Sequence, residues 1–144
     1  MKQTTVIIGL LITIVLFACK PNGKSNLLPT LAASDSAIVM YYHQVGNPRF
    51  FNMTKVYEKS FINAVATAVN KNTIDAKDTC TTEGKIYLYG KNGAVETIYF
   101  SRVPGCFTLS FIKTGEKYFA AMPATLAAEI NVLEKKAIIL PGRK

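Results

Sequence analysis

Residues 34–144 predict an α+β domain: an antiparallel sheet of four to five strands packed with two amphipathic helices. Two observations carry this. Between Lys85 and Ala121 apolar residues alternate with polar ones in short runs divided by turn residues, as half-buried strands require. On either side of that block, apolar residues recur at helical spacing.

Taken in order, Ala37-Ile38-Val39-Met40-Tyr41-Tyr42 is apolar and β-branched at its centre, which suits a strand. Ser34 or Ser36 could instead cap a short helix through His43, and so short a run leaves both readings open. Gly46-Asn47-Pro48 ends the element in either case. Thr54 is placed to cap a helix from Lys55 to about Lys71, with Tyr57, Phe61, Ala64, Val65 and Ala68 on its apolar face. Glu58 near its start and Lys71 near its end both complement the helix dipole. Residues 72–79 have no sustained period and read as a loop.

The meander follows. Lys85 to Tyr89 sets Ile86 and Leu88 against Tyr87 and Tyr89, and Gly90-Lys91-Asn92-Gly93 supplies a tight hairpin. Val95 to Ser101 returns with Ile98 and Phe100 on one face and Glu96 at its edge. Pro104-Gly105 turns the chain into a strand where Phe107, Leu109 and Phe111 oppose Thr108 and Ser110. A turn at residues 113–116 leads to Lys117-Tyr118-Phe119-Ala120-Ala121. Pro123 can open a second helix, with Leu126, Ile130, Leu133 and Ala137 as its stripe and Ala127 and Glu134 beside it. Ile138-Ile139-Leu140 either continues that helix or forms a short edge strand before Pro141-Gly142.

Ahead of the domain lies a different kind of sequence. Met1 to Thr5 carries one lysine, and Val6 to Ala18 is an uncharged apolar run, short of the roughly 20 residues that span a bilayer. A positive start, an apolar stretch and a small residue before the break fit an export signal. Leu16-Phe17-Ala18-Cys19 resembles the lipobox of bacterial lipoproteins, in which a small residue precedes the cysteine, although Phe17 stands where that pattern usually has a small residue. The resemblance implies diacylation of the Cys19 thiol, cleavage after Ala18 and acylation of the new amino terminus. Two or three acyl chains meet the requirement for stable anchoring, whereas one binds only marginally. Residues 1–18 are then a signal peptide, 19–33 a lipid-anchored tether and 34–144 one domain. Leu27, Leu28 and Leu31 could alternatively dock the end of the tether onto the domain. Lys20 follows the cysteine where an aspartate would imply inner-membrane retention, and no acidic cluster follows. The expectation is an outer-membrane protein facing the periplasm.

The formal charge of +8 falls to about +7 when Lys2 is removed with the leader. Such a charge favours acidic partners, namely anionic lipid heads, an acidic glycan or an acidic protein face. It does not imply nucleic acid, because the lysines are scattered and export removes the chain from the cytoplasm. Cys80 and Cys106 remain beyond the anchor, and an oxidising compartment favours a disulfide between them. The chain has no C-x-x-C redox pattern.

Catalytic patterns are missing from the sequence. There is no G-x-S-x-G, no H-E-x-x-H and no calcium-loop pattern. His43 is the single histidine and could act as a base with Asp35 or a tyrosine, but no nucleophile motif accompanies it. One histidine and a paired set of cysteines cannot supply the usual zinc ligands. Asp75, Asp78 and Glu83 offer loop oxygens that generic loop acidity explains as well. Gly90 to Gly93 lacks the lysine-serine/threonine of a phosphate loop. No catalytic residue, metal or cofactor is therefore expected.

One surface invites a function. If Ile86 and Leu88 are buried, Tyr87 and Tyr89 turn to the other sheet face with Tyr99, among Lys85, Lys91 and Arg102. Left open, that face would be a rigid amphipathic binding surface; covered by a further layer, it would be core. The expected function is a noncatalytic envelope lipoprotein that binds a protein, glycan or envelope component. A structural or assembly accessory of an envelope complex is the alternative, and a small enzyme using His43 comes third.

Overall fold

The structure is a computed structural model, and it describes residues 27–74 and 80–139. A short 3-10 turn at Leu31–Ala33 precedes strand β1 (Ser36–Gln44) and strand β2 (Asn47–Val56). Helix α1 (Lys59–Lys71) and the short β3 (Thr73–Ile74) follow. The meander comprises β4 (Gly84–Tyr89), β5 (Val95–Val103), β6 (Cys106–Lys113) and β7 (Glu116–Ala121). Helix α2 (Ala124–Glu134) and β8 (Ile138–Ile139) complete the described chain. The strands form one sheet in the order β3-β7-β6-β5-β4-β1-β2-β8, with every pair antiparallel.

The α+β class is as expected, with a wider sheet than the sequence alone suggests. Residues 37–42 are strand, and Ile138–Ile139 forms an edge strand on Asn52 and Met53. The largest difference is β2, which occupies the approach to the first helix. Thr54 does not cap that helix: its hydroxyl donates to the Leu133 carbonyl at 2.9 Å, and the helix begins at Lys59. Tyr57 consequently lies outside the helix and is 67% exposed. Pro48 is tolerated because pairing jumps from Tyr42–Phe51 to Gln44–Asn47, an irregular stretch where a missing N–H costs little.

Both helices lie on one sheet face, giving the two layers that allow each element to bury its apolar side. From β1, Ala37, Val39 and Tyr41 face them; from the meander, Ile86, Leu88, Ile98, Phe100, Leu109 and Phe111 do. Helix α1 contributes Phe61, Ile62, Val65 and Val69, all fully buried, and α2 contributes Leu126 and Ile130. Phe107, expected to share the buried face of β6, is 46% exposed because it lies at the end of the strand beyond the helical cover.

The β6–β7 hairpin turns on Thr114 and Gly115, both at positive φ (51° and 81°), the conformation that matches strand twist in a two-residue loop. Gly84 answers a different need. It sits opposite Tyr41 and Phe100, and a Cβ there would fall within 3.0 Å of the Met40 carbonyl oxygen and the Phe100 ring.

Residues 27–33 dock rather than hang free. Leu28 N–H donates to Asn70 Oδ1 (2.8 Å) while Asn70 Nδ2 donates to the Leu28 carbonyl (2.9 Å), and Leu31 is fully buried. Lys113 Nζ donates to the Leu27 carbonyl. The chain therefore enters the domain on the helical layer. A disulfide joins Cys80 to Cys106, with Cα atoms 5.6 Å apart, tying the approach to β4 to the start of β6.

Candidate functional site

The pleat that buries Ile86 and Leu88 sends Lys85, Tyr87 and Tyr89 to the face away from the helices. Cross-strand register completes the surface. Tyr87 stands between Ile38 of β1 and Thr97 of β5, and Lys85 stands between Met40 and Tyr99. Beyond Tyr99 come Ser110 and then Phe119. Tyr42 lies two residues beyond Met40 on the same side, opposite Phe51. Among the described residues, no helix or strand is stacked on this face. Its tyrosines are half-buried by one another, while Met40 and Ser110 are buried between longer neighbours.

Lys85 is the centre of the arrangement. Its Nζ lies 4.7 Å from the centroid of the Tyr87 ring, a cation–π contact, and that ring lies 6.5 Å from the Tyr89 ring. Partial burial works against the ammonium, but the Tyr87 hydroxyl and the neighbouring Tyr42 and Tyr99 phenols outweigh it and hold Lys85 above its ordinary value. Burial first, and the neighbouring Tyr99 and Tyr87 phenols after it, raise the Tyr42 phenol against the opposing effect of Lys85. Both shifts favour the forms these two groups hold at neutral pH, the ammonium of Lys85 and the neutral phenol of Tyr42. At one end the strip runs into a shallow depression lined by Ser36, Ala37, Ile38, Lys55, Tyr57 and Tyr89. Lys117 stands at the other side, its Nζ 4.9 Å from the Phe119 ring centroid.

Four of the six residues singled out from the sequence, Lys85, Tyr87, Tyr89 and Tyr99, come together here. Lys91 is exposed at the tip of the β4–β5 hairpin. Arg102 lies on the opposite face, because alternation from buried Phe100 turns it toward α2. There its Nη1 donates to Asn131 Oδ1 (2.6 Å) and Glu134 Oε2 (2.8 Å), and its Nε lies 3.6 Å from Glu83. The guanidinium also rests over Phe100 and Tyr41, at 5.2 and 5.7 Å from the ring centroids. It is a clamp between sheet and helix. Tyr42, Phe51 and Phe119 belong to the open face but escaped the sequence reading. Strand alternation alone could have placed Phe119; Phe51 needed β2 and Tyr42 a settled β1.

His43 and Asp35 sit at opposite ends of β1, roughly 26 Å apart at the usual rise per residue. His43 is exposed and its Nε2 is 2.7 Å from Asn52 Oδ1, while Asp35 pairs with Lys59 at 3.5 Å. Glu83 lies beside the Arg102 guanidinium, and the Arg102 backbone N–H donates to the same carboxylate. Asp75 and Asp78 lie outside the described residues, as does Cys19. Among the described residues, no three His, Cys, Asp or Glu side chains gather as metal ligands, and no helix is long and apolar enough to cross a membrane. No protein-family model matches the chain, and no curated protein or solved structure is significantly similar to it.

Proposed function

We propose that this chain is a noncatalytic lipoprotein of the bacterial cell envelope, anchored through Cys19 and recognising a partner on the open face of its sheet. The observation that supports binding is the division of the sheet. Both helices occupy one face, and the other presents Tyr42, Tyr87, Tyr89 and Tyr99 around Lys85. Tyrosine gives large rigid contact area with a polar tip and little entropy to lose, the chemistry of recognition surfaces. The separation of His43 from Asp35 removes the motivation for acid–base chemistry at that pair. The lipobox-like Leu16-Phe17-Ala18-Cys19 supports lipid anchoring, and Lys20 in place of an aspartate after the cysteine favours an outer-membrane location facing the periplasm.

Mild crosslinking in cells, detergent extraction and mass spectrometry test this reading. The expected result is an acylated Cys19 and adducts that map to Tyr87 and Tyr99. An unmodified, uncleaved N-terminus would remove the anchor, and adducts confined to the helical layer would remove the binding face. Cys19→Ser should shift the protein out of the membrane fraction.

A further inference from the structure

We infer that the open sheet face binds an acidic polysaccharide, with sugar rings laid on Tyr87, Tyr89 and Tyr99 and a sugar carboxylate paired with Lys85. This rests on the proposed binding role of that face and names the chemistry of its ligand.

Charge is the first argument. The pleat places both carboxylates of the described strands on the helix side and shares the cations between the faces, with Arg102 and Lys113 beside the helices. Lys55, Lys85 and Lys117 fall on the open face, whereas Glu96, opposite Leu88, and Glu116, two residues before Tyr118, fall on the helix side. Glu83, at the end of β4, is already engaged by Arg102. Among the described residues, the open face thus offers ammonium groups with no free carboxylate on its strands to compete for them, which complements a polyanion.

The second argument is the middle of the face. Protein–protein interfaces concentrate apolar anchors at their centre and are depleted of lysine there. Here Lys85 stands between Met40 and Tyr99, with Tyr42 and Tyr87 beside it and Ser110 beyond Tyr99; Ile38 stands next to Tyr87, and Phe119 and Ile112 lie toward the margin. Tyrosine rings beside hydroxyls and a cation match a polymer that alternates apolar C–H faces with hydroxyls and carboxylates.

The route of the chain supplies a third. Residues 27–31 enter on the helical layer, and the eight residues from Cys19 to Leu27 span about 28 Å at most. With Cys19 as the proposed anchor, the tether joins the domain on the side opposite the open face and leaves that face accessible to a polymer in the envelope space.

The test uses the full chain in detergent. Polygalacturonate is titrated against it, followed by calorimetry and by NMR of the tyrosine rings; fully methyl-esterified polygalacturonate and dextran sulfate serve as comparisons. Saturable binding to polygalacturonate is expected, with shifts at Tyr42, Tyr87 and Tyr99. Binding should weaken by about tenfold or more on esterification, in Lys85→Gln and in Tyr99→Ala, and stay unchanged in Lys136→Gln on the helical side. Wild-type ring shifts keep the test independent of whether a variant folds. Equal binding of dextran sulfate together with an unaffected Lys85→Gln would reveal diffuse charge attraction and overturn the inference. If neither acidic polymer binds but photocrosslinkers at Tyr87 and Tyr99 capture a protein in cells, the glycan is overturned and the binding face stands. If those crosslinkers capture nothing either, both fall.

Discussion

Replacing Cys80 and Cys106 together by serine should lower the stability of the domain by about 3.5 kcal/mol, acting through the unfolded chain. The two cysteines are 26 residues apart in sequence, and the closed loop contains the whole β4–β5 hairpin. Loop-closure entropy for a ring of that size is about 12 cal/mol/K, which gives the figure above at 25 °C. Residues 27–139 would unfold with an entropy of roughly 0.24 kcal/mol/K, so the midpoint should fall by about 15 °C. The measurement is thermal and urea unfolding of the oxidised protein and the double serine variant, read by far-ultraviolet circular dichroism. Because the bridge restricts the unfolded ensemble, the native spectra at 25 °C should coincide. A loss below about 4 °C would refute the loop-closure argument. A changed native spectrum would show instead that the bridge holds β4 and β6 in place.

Four further outcomes test the packing and electrostatics. Gly84→Ala should cost about 3 kcal/mol or more by urea unfolding, since the added methyl meets the backbone carbonyl of Met40 as well as the Phe100 ring; a neutral effect would contradict the close β1–β4 approach. Phe61→Ala, emptying a fully buried site under α1, should cost about 3–5 kcal/mol in the same assay. Arg102→Met should cost about 2 kcal/mol, because it takes the guanidinium from the 20%-exposed Glu83 and leaves that carboxylate only a backbone N–H, while the 45%-exposed Glu134 regains water. Alkali should unfold the domain. Burial raises the Tyr41 phenol far above its ordinary value, with Arg102 opposing and Glu134 reinforcing the shift. A raised folded pKa gives stability that is complete below the unfolded phenol value near 10 and is lost as pH climbs above it. Phenolate absorbance should therefore show Tyr41 titrating only as the structure opens, and Tyr41→Phe should reduce the alkaline loss; ordinary titration of Tyr41 in the folded state would refute its burial.

Much of the meander was legible because its information is local. Ile86, Leu88, Ile98, Phe100, Leu109 and Phe111 alternate with polar or tyrosine neighbours, and each run ends at residues that turn easily. The same alternation is hidden in β2, where Asn52 and Thr54 face the helical layer and Phe51 and Met53 face away. Polar residues are admitted to the inner side because partners meet them there: His43 for Asn52, the Leu133 carbonyl for Thr54. Those partners are distant in sequence or belong to another element, so the pattern reads as a loop and a helix cap until the sheet is assembled. Helix α1 shows a related limit. Its expected stripe included Phe61, Val65 and Ala68, but Ile62 and Val69 are buried too, because the docked Leu28 and Leu31 join the sheet in covering it.

The sequence by itself determined the α+β class, the turns and the alternation that separates Tyr87 and Tyr89 from Ile86 and Leu88, since these follow from backbone geometry and side-chain period over a few residues. Tertiary structure decided which side of the sheet the helices cover, and with it the standing of every aromatic and charged residue on that sheet. It gathered Tyr42 and Tyr99 around Lys85 through strands far apart in the chain, and it turned Arg102 away to Asn131 and Glu134. A period of two assigns residues to two faces; only the packing of the other layer tells which face is core and which is left to meet a partner.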